Sequence, residues 1–163
     1  MRYIVYGFLG SILLLMMGCV SVPKGITPIT GFEPERYLGT WYEIARLDHS
    51  FERGLSKVSA EYRQNKDGGI IVINRGFDLA RGTWKEATGQ AYPVKSPSVG
   101  HLKVSFFWPI YSSYVISYLD EQYRYAVVTG PTLQYAWILA RTSTVPDHIK
   151  TKLIQHLVQK GIP

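Results

Sequence analysis

Between Gly39 and Arg141 the chain repeats one short unit, a run of alternating apolar and polar side chains followed by a break rich in Gly, Pro, Asn or Asp. In the first run Trp41, Glu43 and Ala45 share one face, and Tyr42, Ile44 and Arg46 share the other. In the second, Val58, Ala60 and Tyr62 alternate with Ser59, Glu61 and Arg63. Asn65-Lys66-Asp67-Gly68-Gly69 is a strong hairpin turn, and its return strand, Ile70 to Phe77, places Ile70, Val72 and Asn74 on one face. Further strands are expected at Gly82 to Val94, Leu102 to Phe106, Tyr114 to Tyr118, Tyr123 to Thr129 and Tyr135 to Arg141. Leu119-Asp120-Glu121-Gln122 forms a turn among them, and Gly130-Pro131 breaks the chain before the last strand. Eight short strands with short connections make an all-β sandwich or a closed barrel, and alternation does not choose between them. With 163 residues the chain is long enough for one domain with a substantial core.

The flanks read differently. Arg2, the apolar run Tyr3 to Met17 and then Gly18-Cys19 suit residues 1–18 as a signal peptide, because about fifteen apolar residues are too few for a comfortable membrane span. An uncleaved anchor helix is the rival. Residues 20–31 hold two Pro and two Gly without a period, as a tether would. Glu33 to Leu38 reads as one helical turn with Pro34 at its first position. Near the end, Thr144 and Asp147 suggest a capping box, with Pro146 in the first turn. Ile149, Leu153 and Leu157 then form an apolar stripe with Ile154 and Val158 beside it. That helix is expected to pack outside the β structure; a helix lying on a membrane surface is the alternative.

Composition removes several function classes. Charged residues are only 18% of the chain and aromatics 13%, which argues against disorder. Net charge is +6, and residues 1–18 hold one Arg and no acid, so 6 − 1 leaves +5. That balance suits anionic membrane surfaces, but no basic run is dense enough for nucleic acid. Cys19 is the only cysteine, so no intramolecular disulfide forms. His49, His101, His148 and His156 are scattered without metal-ligand spacing, and no cofactor or metal is expected. There is no Gly-x-Ser-x-Gly elbow and no phosphate loop. Asp48-His49-Ser50 has triad residue types, but neighbours on a loop cannot form the ordered relay of a hydrolase. An enzyme is not expected.

Three segments carry a family resemblance: Gly39-Thr40-Trp41-Tyr42-Glu43-Ile44-Ala45-Arg46, Asp48-His49-Ser50-Phe51-Glu52-Arg53-Gly54 and Ala136-Trp137-Ile138-Leu139-Ala140-Arg141-Thr142. They resemble the lipocalins, in particular the bacterial outer-membrane and apolipoprotein D-like groups. The resemblance chooses the barrel: residues 32–163 as an eight-stranded antiparallel up-and-down barrel with one C-terminal helix outside it. It also implies that Gly39, Trp41 and Arg141 close the floor, with Arg141 stacked on the indole. Residues aligned with Tyr62, Asn74, Phe106 and Trp137 line the pocket in that group, and strand parity adds Glu43, Val72 and Leu139. The alternative for these residues is a packed interior. Asn74 and the Tyr62 hydroxyl then need a head group or a water, since an unpaired buried polar group costs roughly 1–3 kcal/mol. Glu43 in an apolar cup pairs with a cation or takes up a proton, as a head-group contact or in a salt bridge with a neighbouring strand. Asp48 to Gly54 is expected to fold over the mouth. Phe106-Phe107-Trp108-Pro109-Ile110-Tyr111 reads as a hairpin tip, open between a rim hinge, a membrane-touching lip, a dimer surface and aromatics packed under a loop.

Leu15-Met16-Met17-Gly18-Cys19 resembles the bacterial lipobox, with Met16 where Leu usually stands. It implies an acylated Cys19, and Val20 in place of Asp favours sorting to the outer membrane with the domain facing the periplasm. The expected function is binding and storage or transport of a fatty acid or lysophospholipid, in envelope lipid maintenance under stress. A structural lipoprotein with a filled barrel and an enzyme acting on lipids are the rivals. The expected partners are that lipophilic molecule and the membrane. The residues end at Pro163, soon after the helix, where such relatives continue into a segment that contributes to a dimer contact. A homodimer is therefore left open.

Overall fold

Alternation becomes strand throughout residues 39–141 of the computed structural model, which describes residues 20–163. The strands are β1 (Gly39–Arg46), β2 (Leu55–Gln64), β3 (Ile70–Asp78), β4 (Thr83–Pro93), β5 (His101–Phe107), β6 (Ile110–Leu119), β7 (Tyr125–Thr129) and β8 (Ala136–Ala140). Each pairs antiparallel with the next, and β8 returns to β1, so the sheet closes as an up-and-down barrel. Closure satisfies the ladder bonds of both terminal strands and leaves no open edge. The four-residue helix α1 (Pro34–Tyr37) precedes the barrel, and α2 (Asp147–Gln159) follows it.

Two apolar clusters divide the molecule. One fills the lower barrel around Phe32, Tyr37, Trp41, Leu102, Ile116 and Tyr123. The other lies outside the wall, where Leu153 and Leu157 of α2 meet Val115, Val127 and Ile138. The helix packs outside, as the stripe requires, but Ile154 and Val158 stay exposed and take no part. The capping box does not form. Pro146 occupies the N-cap with no side-chain cap, and the Thr144 carbonyl instead accepts the Thr142 hydroxyl at 2.7 Å. The helix begins at Asp147, two residues too late for Thr144 to cap.

Three further expectations change. Residues 20–31 do not hang free as a tether: Pro23 and Ile26 are buried, Val22 packs on the outer cluster, and Thr30 bridges to Val99. The β6–β7 turn sits later than expected, because Asp120 accepts the backbone N–H groups of Arg124 and Tyr125, with Tyr123 at φ 57°. Parity in β1 also fails beyond Glu43. A bulge between Glu43 and Ala45 shifts the pairing with β8, so Ile44 and Ala45 both pack outward. One extra residue on one strand reverses every later side chain. Arg46, expected opposite Glu43, therefore lies on its side and donates to its carboxyl.

Candidate functional site

The floor is built first. Gly39 begins β1 at φ +93°, a conformation that side chains resist, and a Cβ there would stand 3.4 Å from the Arg141 guanidinium. That guanidinium lies 4.0 Å over the Trp41 ring. It donates to the carbonyls of Arg36, Thr40 and Tyr123 at 2.8, 3.1 and 3.1 Å. The Trp41 indole donates to the Tyr37 carbonyl at 2.9 Å. Trp41 is fully buried, and these bonds seal one end of the barrel.

Above the floor the interior is not filled. A cavity of about 740 Å³ opens toward the other end, within the range of about 300–1,000 Å³ usual for small-molecule sites. Every residue assigned to it from the sequence lines it: Glu43, Tyr62, Val72, Asn74, Phe106, Trp137 and Leu139. Alternation explains the agreement for Tyr62, Val72, Asn74, Trp137 and Leu139, five of the seven, which sit on strand stretches whose register runs unbroken around them. Glu43 and Phe106 stand at register shifts. The loop after β1 folds over the mouth and contributes Phe51 and Glu52 to the lining.

Polar groups stand at two levels. Deep in the cup the Tyr114 hydroxyl bonds both Tyr37 and Tyr62 hydroxyls at 2.8 Å. Tyr62 thus finds its partner inside the protein, so neither ligand nor water is required there; burial pushes its hydroxyl up to about 12. Asn74 faces the cavity without a side-chain hydrogen bond among the described residues.

The upper level was only partly legible. Glu52, buried in the mouth loop, accepts the Trp137 indole N–H at 2.9 Å, and His49 Nε2 approaches the same oxygen at 2.9 Å. His49 stacks on Phe51 with ring centroids 3.9 Å apart, and burial lowers its basicity. Arg46 donates to the Glu43 carboxyl and to the backbone carbonyls of Glu52 and Leu55. Burial first, and the nearby Glu52 second, raise Glu43 to about 7 against the pull of Arg46. Glu43 is therefore salt-bridged and raised toward taking up a proton, but its cation comes from its own strand rather than from a neighbouring one. Arg46, His49, Glu52 and Tyr114 were not assigned to the cup from the sequence. A loop brings two of them in, a bulge the third, and Tyr114 sits in an alternating strand where only its parity could have marked it.

This sealed floor, apolar cup and outer helix define a β-barrel binding protein. Residues 32–163 match the lipocalin-like domain family, and the chain belongs to it; its cup is a site for lipophilic ligands. The chain is 53% identical over 149 residues to the outer membrane lipoprotein Blc of Vibrio cholerae, covering 91% of this chain and 87% of that one. It is 47% identical over 149 residues to the protein of the same name from Escherichia coli K12, covering 90% and 84%. Among solved structures, insecticyanin from the tobacco hornworm Manduca sexta superposes with a TM-score of 0.66 at 16% identity, over 88% of this chain and 79% of that one. That likeness is one of fold.

Proposed function

We propose that this chain is a lipid-anchored outer-membrane lipoprotein whose periplasmic cup binds and stores or carries a single-chain lipid, a fatty acid or lysophospholipid. Its service is the upkeep of envelope lipids under stress. The observation that carries this reading is the mainly apolar cavity of about 740 Å³, sealed below and open above, with Asn74 on its wall and the Glu43–Arg46–Glu52 cluster toward its mouth. The similarity to outer membrane lipoproteins supports the location, and the lipobox ending in Cys19 supports the anchor. Cys19 itself lies outside the described residues.

The energetics agree. Burying about a dozen methylenes at roughly 0.8 kcal/mol each gives about 10 kcal/mol gross. Association and chain ordering remove several of these, leaving micromolar or somewhat tighter binding.

Native mass spectrometry of residues 20–163, purified without detergent and repeated with added lysophospholipid, tests the reading. One acyl lipid per chain, displaced by fatty acid, is the expected result; a bare chain that takes up no lipid sinks it. Trp137→Ala should weaken uptake about tenfold or more while the far-ultraviolet dichroism stays that of the barrel, because it removes one wall of the cup and frees Glu52. Unchanged affinity would show that the ligand does not reach Trp137.

A further inference from the structure

Among the described residues six large apolar side chains are exposed away from α2, and all six stand at one end. Phe51 lies in the β1–β2 loop, Leu79 and Trp84 flank the β3–β4 turn, and Phe107, Trp108 and Ile110 form the β5–β6 tip. Phe107 and Trp108 are 80% and 82% exposed, which disposes of the reading that this tip is packed under a loop. The turns at the sealed end are polar by contrast: Asn65-Lys66-Asp67, Lys95-Ser96-Pro97-Ser98 and Asp120-Glu121-Gln122.

We propose that this rim is a bilayer-docking lip, on which the barrel sits mouth-down against the membrane that carries its anchor. The proposal rests on the anchored lipid-carrier reading and adds the orientation and the route of the ligand.

Chain reach is the first argument. Val22 already packs against the outer cluster and Pro23 is buried. Only three residue steps separate Val22 from Cys19, about 10 Å of chain at full extension. An acylated Cys19 therefore holds the barrel wall at the bilayer surface with no room to swing away. The outer cluster on which Val22 packs runs along the wall from Leu47 and Leu133 beside the mouth to Tyr118 and Tyr125 near the sealed end, where Thr30 bridges Val99. Eight residue steps, up to about 27 Å of chain, lie between Thr30 and Val22, long enough to carry the anchor to the mouth half of the molecule.

Charge is the second. Of the rim cations, Arg53 pairs with Asp48 at 2.5 Å, Arg81 and Lys85 share Asp78 at 2.9 and 2.8 Å, and Lys57 lies over the Phe77 ring. The small positive excess left over finds little attraction on a zwitterionic surface, so contact there is made by Trp, Phe, Leu and Ile at the depth of the interface, where such side chains settle. The rim is also continuous with the cup. Phe107 and Ile110 both line the cavity and stand exposed on the rim. An acyl chain entering between them passes from hydrocarbon to cup without crossing water.

The test is fluorescence of the mature, acylated chain in phosphatidylcholine vesicles whose acyl chains carry bromine near the headgroups. The mass of the purified chain first reports whether its acyl groups are present. Two of the four Trp belong to the lip, so about half of the emission should be quenched, equally at low and high salt. The double variant Trp84→Ser/Trp108→Ser should lose that component yet bind fluorescent lysophospholipid in vesicle-free solution as the parent does. Emission that bromolipids leave untouched while aqueous iodide reaches it overturns the lip. So does quenching abolished by salt, or a rim shielded from both quenchers in a chain that sediments as a dimer, which would assign the surface to a second copy. If lysophospholipid binding in solution is intact when quenching fails, only the lip is lost. If the parent binds none, the carrier reading fails on its own.

Discussion

Glu43 shows how one residue can hold opposing demands. It lines an apolar cup, bonds Arg46 and is raised to about 7. Because the folded protein holds this proton more tightly than the unfolded chain, the group costs stability as pH rises from about 4.5 through 7. Glu43→Gln should remove that cost while leaving an acceptor for Arg46. The variant is expected to match the parent at pH 4 and to exceed it by about 1–3 kcal/mol at pH 8 in urea unfolding. Equal stabilities at both pH values would show that the carboxyl carries no such burden. Glu43 itself was legible from its parity with Trp41. Its partners were not, because Arg46 reaches it only through a bulge that no spacing in the sequence marks, and Glu52 only through a loop.

At the scale of elements, α2 separates what periodicity sees from what packing decides. The i, i+4 stripe correctly marks a helix and its buried residues Leu153 and Leu157, yet the neighbouring Ile154 and Val158 remain in solvent. A convex barrel wall meets only a narrow strip of a helix. Leu153→Ala should therefore cost about 3 kcal/mol, as buried leucines do, while Ile154→Ser stays within about 0.5 kcal/mol. Thermal unfolding of the two variants checks this, and equal losses would mean that the helix rotates on the wall. Neither change should alter affinity for lysophospholipid, since the wall of β6, β7 and β8 stands between helix and cup.

For the molecule as a whole, closure couples the parts: β8 pairs with β1, and Arg141 just beyond β8 locks onto Trp41. A ligand that binds only the closed barrel should stabilise all of it at once. At a free concentration of about 100 times Kd, lysophospholipid should add about 2.7 kcal/mol and shift a single transition upward without splitting it. A calorimetric scan that separates into two transitions would show that the cup melts apart from the floor.

Local chemistry determined a large share of this protein. Alternation and turn residues suffice for eight strands and for the parity that adds Glu43, Val72 and Leu139, because each depends on near neighbours or on a period of two. The closed barrel, its Trp41–Arg141 floor and the pocket places of Tyr62, Asn74, Phe106 and Trp137 were implied by the resemblance to lipocalins. Tertiary structure alone decided where that period is interrupted, how the mouth loop places His49 and Glu52, and that residues 20–31 lie along the barrel. It also decided that the cup stays open, since an empty interior is a balance of side-chain volumes drawn from all eight strands. No local stretch of sequence carries that sum.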